Sequence, residues 1–209
     1  MRPDYVNTDK GWKEVAVYDR IIALWSQKTK AKEMNIVNGI LLLIPFLIIR
    51  LGLLSILSPQ SMQRAAYFAP VQGNERVAYY IYQISNIGIF IYLIFLKFKI
   101  DFSWQFYLGL FCYIAGLCLC AITIVSFSAP DDSGLNINGI YKYSRNPMYV
   151  AYFICFLGMA LLTQSLILLV VVVIFQISAH WIILAEERWC IDKFGVIYEE
   201  YMKNVRRYI

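Results

Sequence analysis

Two polar clusters bracket a hydrophobic hairpin in the last third of the chain. Asn138-Gly-Ile-Tyr-Lys-Tyr-Ser-Arg-Asn-Pro-Met-Tyr149 precedes the hairpin and Glu186-Glu187 follows it. Ionisable groups beside hydrocarbon are costly, so several of them gathered by one hairpin mark a functional site at the membrane face. Asn146-Pro147 predicts a helix start. Asn accepts from free N–H groups as an N-cap, and Pro fits the first helical position, whose N–H would be unpaired anyway. The amino end of that helix offers donors and partial positive charge, while Gly139 lets the backbone approach a ligand closely. Arg145 adds a planar fork for a carboxylate or phosphate. Glu186 and Glu187 are expected at the carboxyl end of the next helix, where the dipole disfavours carboxylates and a cation must offset them. A cationic ligand or partner is implied. Tyr141, Tyr143 and Tyr149 supply flat faces for stacking on a base or a cation.

The elements that position these residues follow from composition. The 209 residues are 60% hydrophobic and 16% charged, with a mean hydropathy of +0.57, which excludes an ordinary soluble domain. The fold class is an all-α, polytopic integral membrane helical bundle. Apolar runs cover 36–57, 77–96, 104–127, 148–162 and 166–185, giving about five transmembrane segments. A span takes roughly 20 residues, so the fourth run is too short unless its polar flanks enter the membrane. The chain is read as an N-terminal interfacial amphipathic segment (1–35), three membrane segments (36–127) and a catalytic region (128–209). In the first part Trp12, Val15, Tyr18, Ile22 and Trp25 share one helical face, ringed by Lys10, Lys13, Arg20 and Lys28. In the amphipathic C-terminal helical tail Cys190, Phe194, Ile197, Tyr198, Tyr201 and Val205 recur at helical spacing, and Gly195 breaks it into two short helices. The first 35 residues carry no signal-peptide pattern.

The net charge of +5 comes from basic residues flanking apolar runs, not from a stripe that would bind nucleic acid. Anionic headgroups are the expected counterions. Lys142, Arg145, Arg188, Lys193, Lys203, Arg206 and Arg207 place the polar clusters on the cytoplasmic side. A re-entrant first segment, bent at Pro45, would bring the amino terminus to that side too. Cys112, Cys118, Cys120, Cys155 and Cys190 read as small apolar packing residues, and no metal site is expected.

Donors at one edge of the pocket, carboxylates at the other and aromatics between suit a zwitterionic nucleoside such as S-adenosyl-L-methionine. The motif Gly139-Ile-Tyr-Lys-Tyr-Ser-Arg145-Asn-Pro-Met-Tyr149 resembles the Gly-x-Tyr…Arg-His-Pro-x-Tyr motif of the isoprenylcysteine carboxyl methyltransferases and their phospholipid methyltransferase relatives. Glu186-Glu-Arg-Trp-Cys190, Phe194-Gly195, Tyr198, Tyr201 and Val205-Arg-Arg-Tyr208 are similar to that family's carboxyl-terminal part. The resemblance implies that Gly139, Tyr141, Arg145, Asn146, Pro147, Tyr149, Glu186 and Glu187 bind the cofactor, with Arg145 and Glu187 catalytic. It also implies a cofactor held by membrane helices and their caps, and accordingly no Gly-x-Gly-x-x-Gly turn follows a strand. The implied activity is methyl transfer from S-adenosylmethionine to a lipid-like or prenylated acceptor entering from the bilayer. Two departures stand out: the motif's His is Asn146, and its Leu after the acidic pair is Cys190.

Asn146 cannot exchange a proton near neutral pH. A carboxylate acceptor needs no general base, whereas an ammonium acceptor must first lose a proton. The scarcity of bases therefore favours a carboxylate, with phospholipid or amine N-methylation as the alternative. An NADPH-dependent membrane lipid or sterol reductase and a non-enzymatic scaffold are the other classes. His180, the single histidine, reads as a packing residue and Arg50 as a structural residue at an interface. Each site residue also has a plainer reading. Arg145 could snorkel to a lipid phosphate, Glu186-Glu187 could pair with Arg188 or Lys193, and Tyr143, Tyr198 and Tyr201 fit an aromatic belt.

Overall fold

The computed structural model describes residues 20–24, 36–57 and 59–208. The chain divides into two units, Met1–Val37 and Asn38–Ile209. In the first, residues 20–24 are helical and expose Ile21, Ile22 and Leu24. Trp12, Val15, Tyr18 and Trp25, on which the amphipathic reading of 1–35 depends, lie outside the described residues.

The second unit is helical almost throughout. Helix α1 is Ile40–Leu57 and α2 is Pro59–Ala66. They are followed by α3, Glu75–Phe95, and α4, Trp104–Ser128. A 3-10 turn at Gly139–Lys142 leads to α5, Pro147–Leu162, then α6, Leu166–Phe194, and α7, Val196–Asn204. Helices α1, α3, α4 and α6 are long and apolar enough to cross a membrane, and α5 is a shorter apolar helix. At ~1.5 Å per residue the 16 residues of α5 reach about 24 Å, short of the ~30 Å hydrocarbon thickness, as its sequence predicts.

Local chemistry accounts for the breaks. Ser103 caps α4 by accepting from the Phe106 N–H at 3.1 Å, and Ser165 caps α6 by accepting from Leu168 at 3.2 Å. Pro45 lies inside α1, and the stretch Ile48–Leu53 just beyond it is π-helical. Pro removes one helical donor, and π segments absorb such interruptions, often where a helix serves a site. Gly195 adopts φ +55°, the left-handed region that glycine tolerates, and there the chain turns from α6 into α7.

The second unit's helices pair as α4 with α5 and α3 with α6. Glycines set the first spacing. A Cβ on Gly116 would collide with the Cys155 backbone, and one on Gly158 with the Tyr113 backbone. In lipid there is little hydrophobic drive between helices, so close backbone approach through small residues supplies much of the packing. Between the pairs lies an aromatic core. Phe156 of α5 meets Phe175 of α6 edge-on at 5.4 Å, Tyr82 of α3 stacks on Phe175 at 4.7 Å, and Phe46 of α1 contacts Phe156 at 5.1 Å. Tyr113 ties α4 to α1 by donating to the Leu42 carbonyl at 2.8 Å. The outer faces stay apolar too, with Ile84, Ile87 and Ile91 of α3 exposed, as a bilayer-facing surface requires.

The acidic pair does not end its helix. Helix α6 continues through Phe194, about two turns past Glu187, because Arg188-Trp-Cys-Ile-Asp-Lys-Phe is all helix-compatible and Gly195 supplies the stop. The dipole argument for a required cation at Glu186-Glu187 therefore fails, and the expected pair of short helices in the tail is one long helix followed by α7.

Candidate functional site

Helices α5 and α6 leave the membrane core side by side, and the tail after α7 lies across their polar ends. Its backbone is stapled to the motif: Arg145 N–H donates to the Arg206 carbonyl at 2.9 Å, and Asn146 Nδ2 donates to the Arg207 carbonyl at 3.1 Å. Asn146 does precede Pro147 at the start of α5, yet its side chain makes no capping bond. The amide is engaged by the tail instead, which corrects the N-cap expectation.

Arg145 is not a free fork. Its guanidinium lies 2.9 Å from Glu187 Oε1 and also donates to the Met202 carbonyl at 3.1 Å. Arg207 reaches the same carboxylate at 2.8 Å, and this hydrogen-bonded pairing holds the Arg207 guanidinium above its ordinary pKa. Glu187 is 4% exposed, so a buried carboxylate sits between two guanidiniums. This answers its need for a cation from within the chain.

Glu186 points elsewhere. One residue on along a helix is a rotation of roughly 100°, and Glu186 accepts from the Tyr149 hydroxyl at 2.7 Å. Among the described residues no cation pairs with it. Tyr149 packs edge-on to Tyr82 at 6.2 Å. Tyr141, from the 3-10 turn, is buried, and its carbonyl accepts from the Tyr201 hydroxyl at 2.6 Å. Burial pushes the Tyr141 phenol above its usual range. Tyr201 and Glu186 push the same way, while Arg64 and Arg50 oppose them.

These groups surround one cavity of about 560 Å³, within the roughly 300–1,000 Å³ of small-molecule sites. Of the residues expected to form it, Tyr141, Arg145, Asn146, Tyr149, Glu186 and Glu187 line it, and Gly139 and Pro147 do not. Gly139 has φ +60°, and a Cβ there would strike the Ser126 hydroxyl. Its close approach is to α4, not to a ligand. Pro147 is buried in the first turn of α5.

Several lining residues escape a motif reading. Arg50 from the π segment, Arg64 from α2, Tyr82 from α3, Asn136 and Trp189 all face the cavity, and Tyr198 and Tyr201, expected as anchors or packing residues, line it too. For Arg50 a signal exists in the sequence: an ionisable residue within an apolar run is a functional-site hypothesis by itself. The others come from elements whose packing no local pattern specifies. His180 is outside the cavity lining, with its Nδ1 2.7 Å from the Tyr208 hydroxyl.

Residues 121–196 match the family model described as phospholipid methyltransferase. The match covers just over a third of the chain and takes in the hairpin, both polar clusters and Gly195. It supports a membrane methyltransferase family and is not specific to the isoprenylcysteine carboxyl methyltransferases. No curated protein and no solved structure matches the chain significantly.

Proposed function

We propose that the chain is an S-adenosylmethionine-dependent integral membrane methyltransferase acting on a lipid-like acceptor drawn sideways from the bilayer, with its site facing the cytoplasm. The observation that carries the reading is the cavity between α5 and α6. It presents a carboxylate with no cationic partner among the described residues, within a segment matched by a methyltransferase family. The basic residues Lys142, Arg188, Lys193 and Lys203 around that end support the orientation.

The donor set fits the proposed cofactor. Asn136 and Arg145 line the cavity, and Asn136 Oδ1 and Arg145 Nε are buried with no hydrogen-bond partner among the described residues. Buried polar atoms are rarely left so unless a ligand or water meets them. When bound, S-adenosylmethionine supplies a methyl group made electrophilic by a positively charged sulfur. Glu186, oriented by Tyr149, offers negative charge to such a cation. Trp189, Tyr141 and Tyr149 offer aromatic faces, and Asn136, Arg145 and Asn146 offer polar atoms to the nucleoside and amino-acid parts. The Glu187 triad with Arg145 and Arg207 keeps the tail over the site and limits water there, where electrostatic interactions are then stronger.

Two acceptors suit this wall. A phospholipid amine is supported by the family match and by Glu186, a carboxylate able to take the ammonium proton before methylation. A carboxylate acceptor, as in the isoprenylcysteine-like reading, is supported by the absence of His180 from the cavity, since it needs no base. Calorimetric titration of the purified protein with S-adenosylhomocysteine and with NADPH tests the reading. Binding of the first alone is expected, and binding of NADPH alone would instead establish the reductase class. Transfer of a radiolabelled methyl group into membrane lipids, followed by mild base, then separates labile esters from stable methylamines.

A further inference from the structure

The cavity has a second charged wall that the cofactor reading leaves unused. Arg50 projects into it from the π-helical segment of α1, inside a membrane-spanning helix, and Arg64 from α2 lines it close by. Neither arginine is paired with a carboxylate among the described residues. Arg64 is already engaged, donating to the Phe127 carbonyl at 2.8 Å and to the Ser61 hydroxyl at 2.9 Å. Arg50 is not. A guanidinium carries five N–H donors, and among the described residues the single hydrogen bond from Arg50 is a long one, 3.4 Å to the Ala65 carbonyl. Its head sits 5.6 Å from the centre of the Tyr152 ring.

Tyr152 provides the second, independent observation. It lines the cavity and is 7% exposed, and its hydroxyl is buried without a hydrogen-bond partner among the described residues. A phenol donor with no partner among the described residues beside a guanidinium with spare donors, both lining a large cavity, suits an oxyanion. The cost of an uncompensated cation at membrane depth and of an unsatisfied buried hydroxyl would both be offset by one bound group. The other candidate anion, Glu187, is held by Arg145 and Arg207, and Glu186 by Tyr149.

We infer that Arg50 and Tyr152 form the subsite that holds the anionic group of the lipid acceptor, a phosphate or a carboxylate, with Arg64 adding positive field. The inference rests on the proposed function, because it assigns the two ends of one cavity: Glu186 faces the cationic partner, and Arg50 with Tyr152 faces the acceptor's anion. Planar, charge-assisted recognition of this kind selects the head of the lipid and leaves its chains to the bilayer. Arg50 and Tyr152 are thus specificity residues supplied by the part of the chain ahead of the motif and by the middle of α5.

The test is calorimetric binding to the full chain in dodecylmaltoside micelles with saturating S-adenosylhomocysteine. The probes are oleate, 1-oleoyl-lysophosphatidate and neutral 1-oleoylglycerol. At least one anionic probe is expected to bind ten or more times more tightly than 1-oleoylglycerol. Oleate alone identifies a carboxylate acceptor, the lysophosphatidate alone a phosphate-bearing one, and both a site reading charge only. Arg50→Met should weaken the anionic probe at least tenfold and Tyr152→Phe at least threefold, with S-adenosylhomocysteine affinity within twofold of the parent. Arg50→Lys replaces Arg50→Met if the latter fails to fold, and should still lose the planar contact. Equal binding of the neutral probe, unchanged anionic affinity in both variants, or loss of S-adenosylhomocysteine affinity on changing Arg50 would each overturn the inference. A parent protein that binds the anionic probes through Arg50 but not S-adenosylhomocysteine would sink the methyltransferase reading and leave the subsite standing.

Discussion

Replacing Glu187 by alanine removes the one anion shared by two guanidiniums, and the arrangement fixes the order of three single substitutions. The Arg145 side chain is 7% exposed and that of Arg207 33%. Without Glu187, Arg145 keeps only the Met202 carbonyl, and an uncompensated buried charge costs about 3–5 kcal/mol. At ~2–4 °C per kcal/mol for a chain of this size, the melting temperature should fall by about 6–20 °C. Arg145→Ala should cost less, because Glu187 retains Arg207. Arg207→Ala should cost least, about 1–2 kcal/mol, because the larger guanidinium exposure means less is lost and Glu187 retains Arg145. Thermal unfolding in detergent, followed by helical circular dichroism on all three variants, measures the order. A Glu187→Ala protein melting within about 3 °C of the parent, or an Arg207→Ala protein melting below the Glu187→Ala protein, would refute a buried carboxylate held chiefly by Arg145. The same result bears on interpretation. Loss of ligand binding in Arg145 or Glu187 variants reports a tail released from the motif as well as a contact removed, so it must be read beside the melting curve.

Glu186→Gln separates charge from shape: it should weaken S-adenosylmethionine about tenfold, ~1.4 kcal/mol, and S-adenosylhomocysteine, which lacks the sulfonium charge, less than twofold. Competitive binding of the two measures it, and equal losses would mean that Glu186 does not face the cation. Gly116→Ala puts a methyl against the Cys155 backbone and should destabilise by about 1–3 kcal/mol or more, seen as a lower melting temperature; unchanged stability would show that α4 and α5 can separate freely. His180→Phe loses the contact with Tyr208 and should cost about 1 kcal/mol while leaving S-adenosylhomocysteine affinity within twofold. A large affinity loss would place His180 in the site.

What was legible in the sequence was the class and the convergence of the two clusters. Length and hydropathy of the runs locate α1, α3, α4 and α5 to within a few residues, and the start of α6 but not its end, because a bilayer admits few alternatives to a helix. Proline after Asn146 fixes the start of α5. The partners of the polar groups were not legible. Asn146 is a good cap by type, but the tail backbone competes for its amide, and that competition depends on where Val205–Tyr208 lies. Glu186 and Glu187 are neighbours in sequence yet face different surroundings, since adjacent positions on a helix diverge. By sequence Arg50 reads as a structural residue at an interface, because Pro45 lies close by. Arg50 lies within the π segment and lines the cavity, and no local pattern announces π geometry.

That stretch in α1 gives the helix a split phase. Everything before Ile48 and everything after Leu53 follows ordinary α periodicity, but the wider turns between them take up additional backbone. Deleting one residue there would let the rod rewind into a regular α-helix with both halves keeping their facings, so that Phe46 and Leu54 stay buried and only the residues of the wide turns, Arg50 among them, change direction. A single-residue deletion at this point would therefore move the one charged side chain of α1 while leaving the scaffold in place.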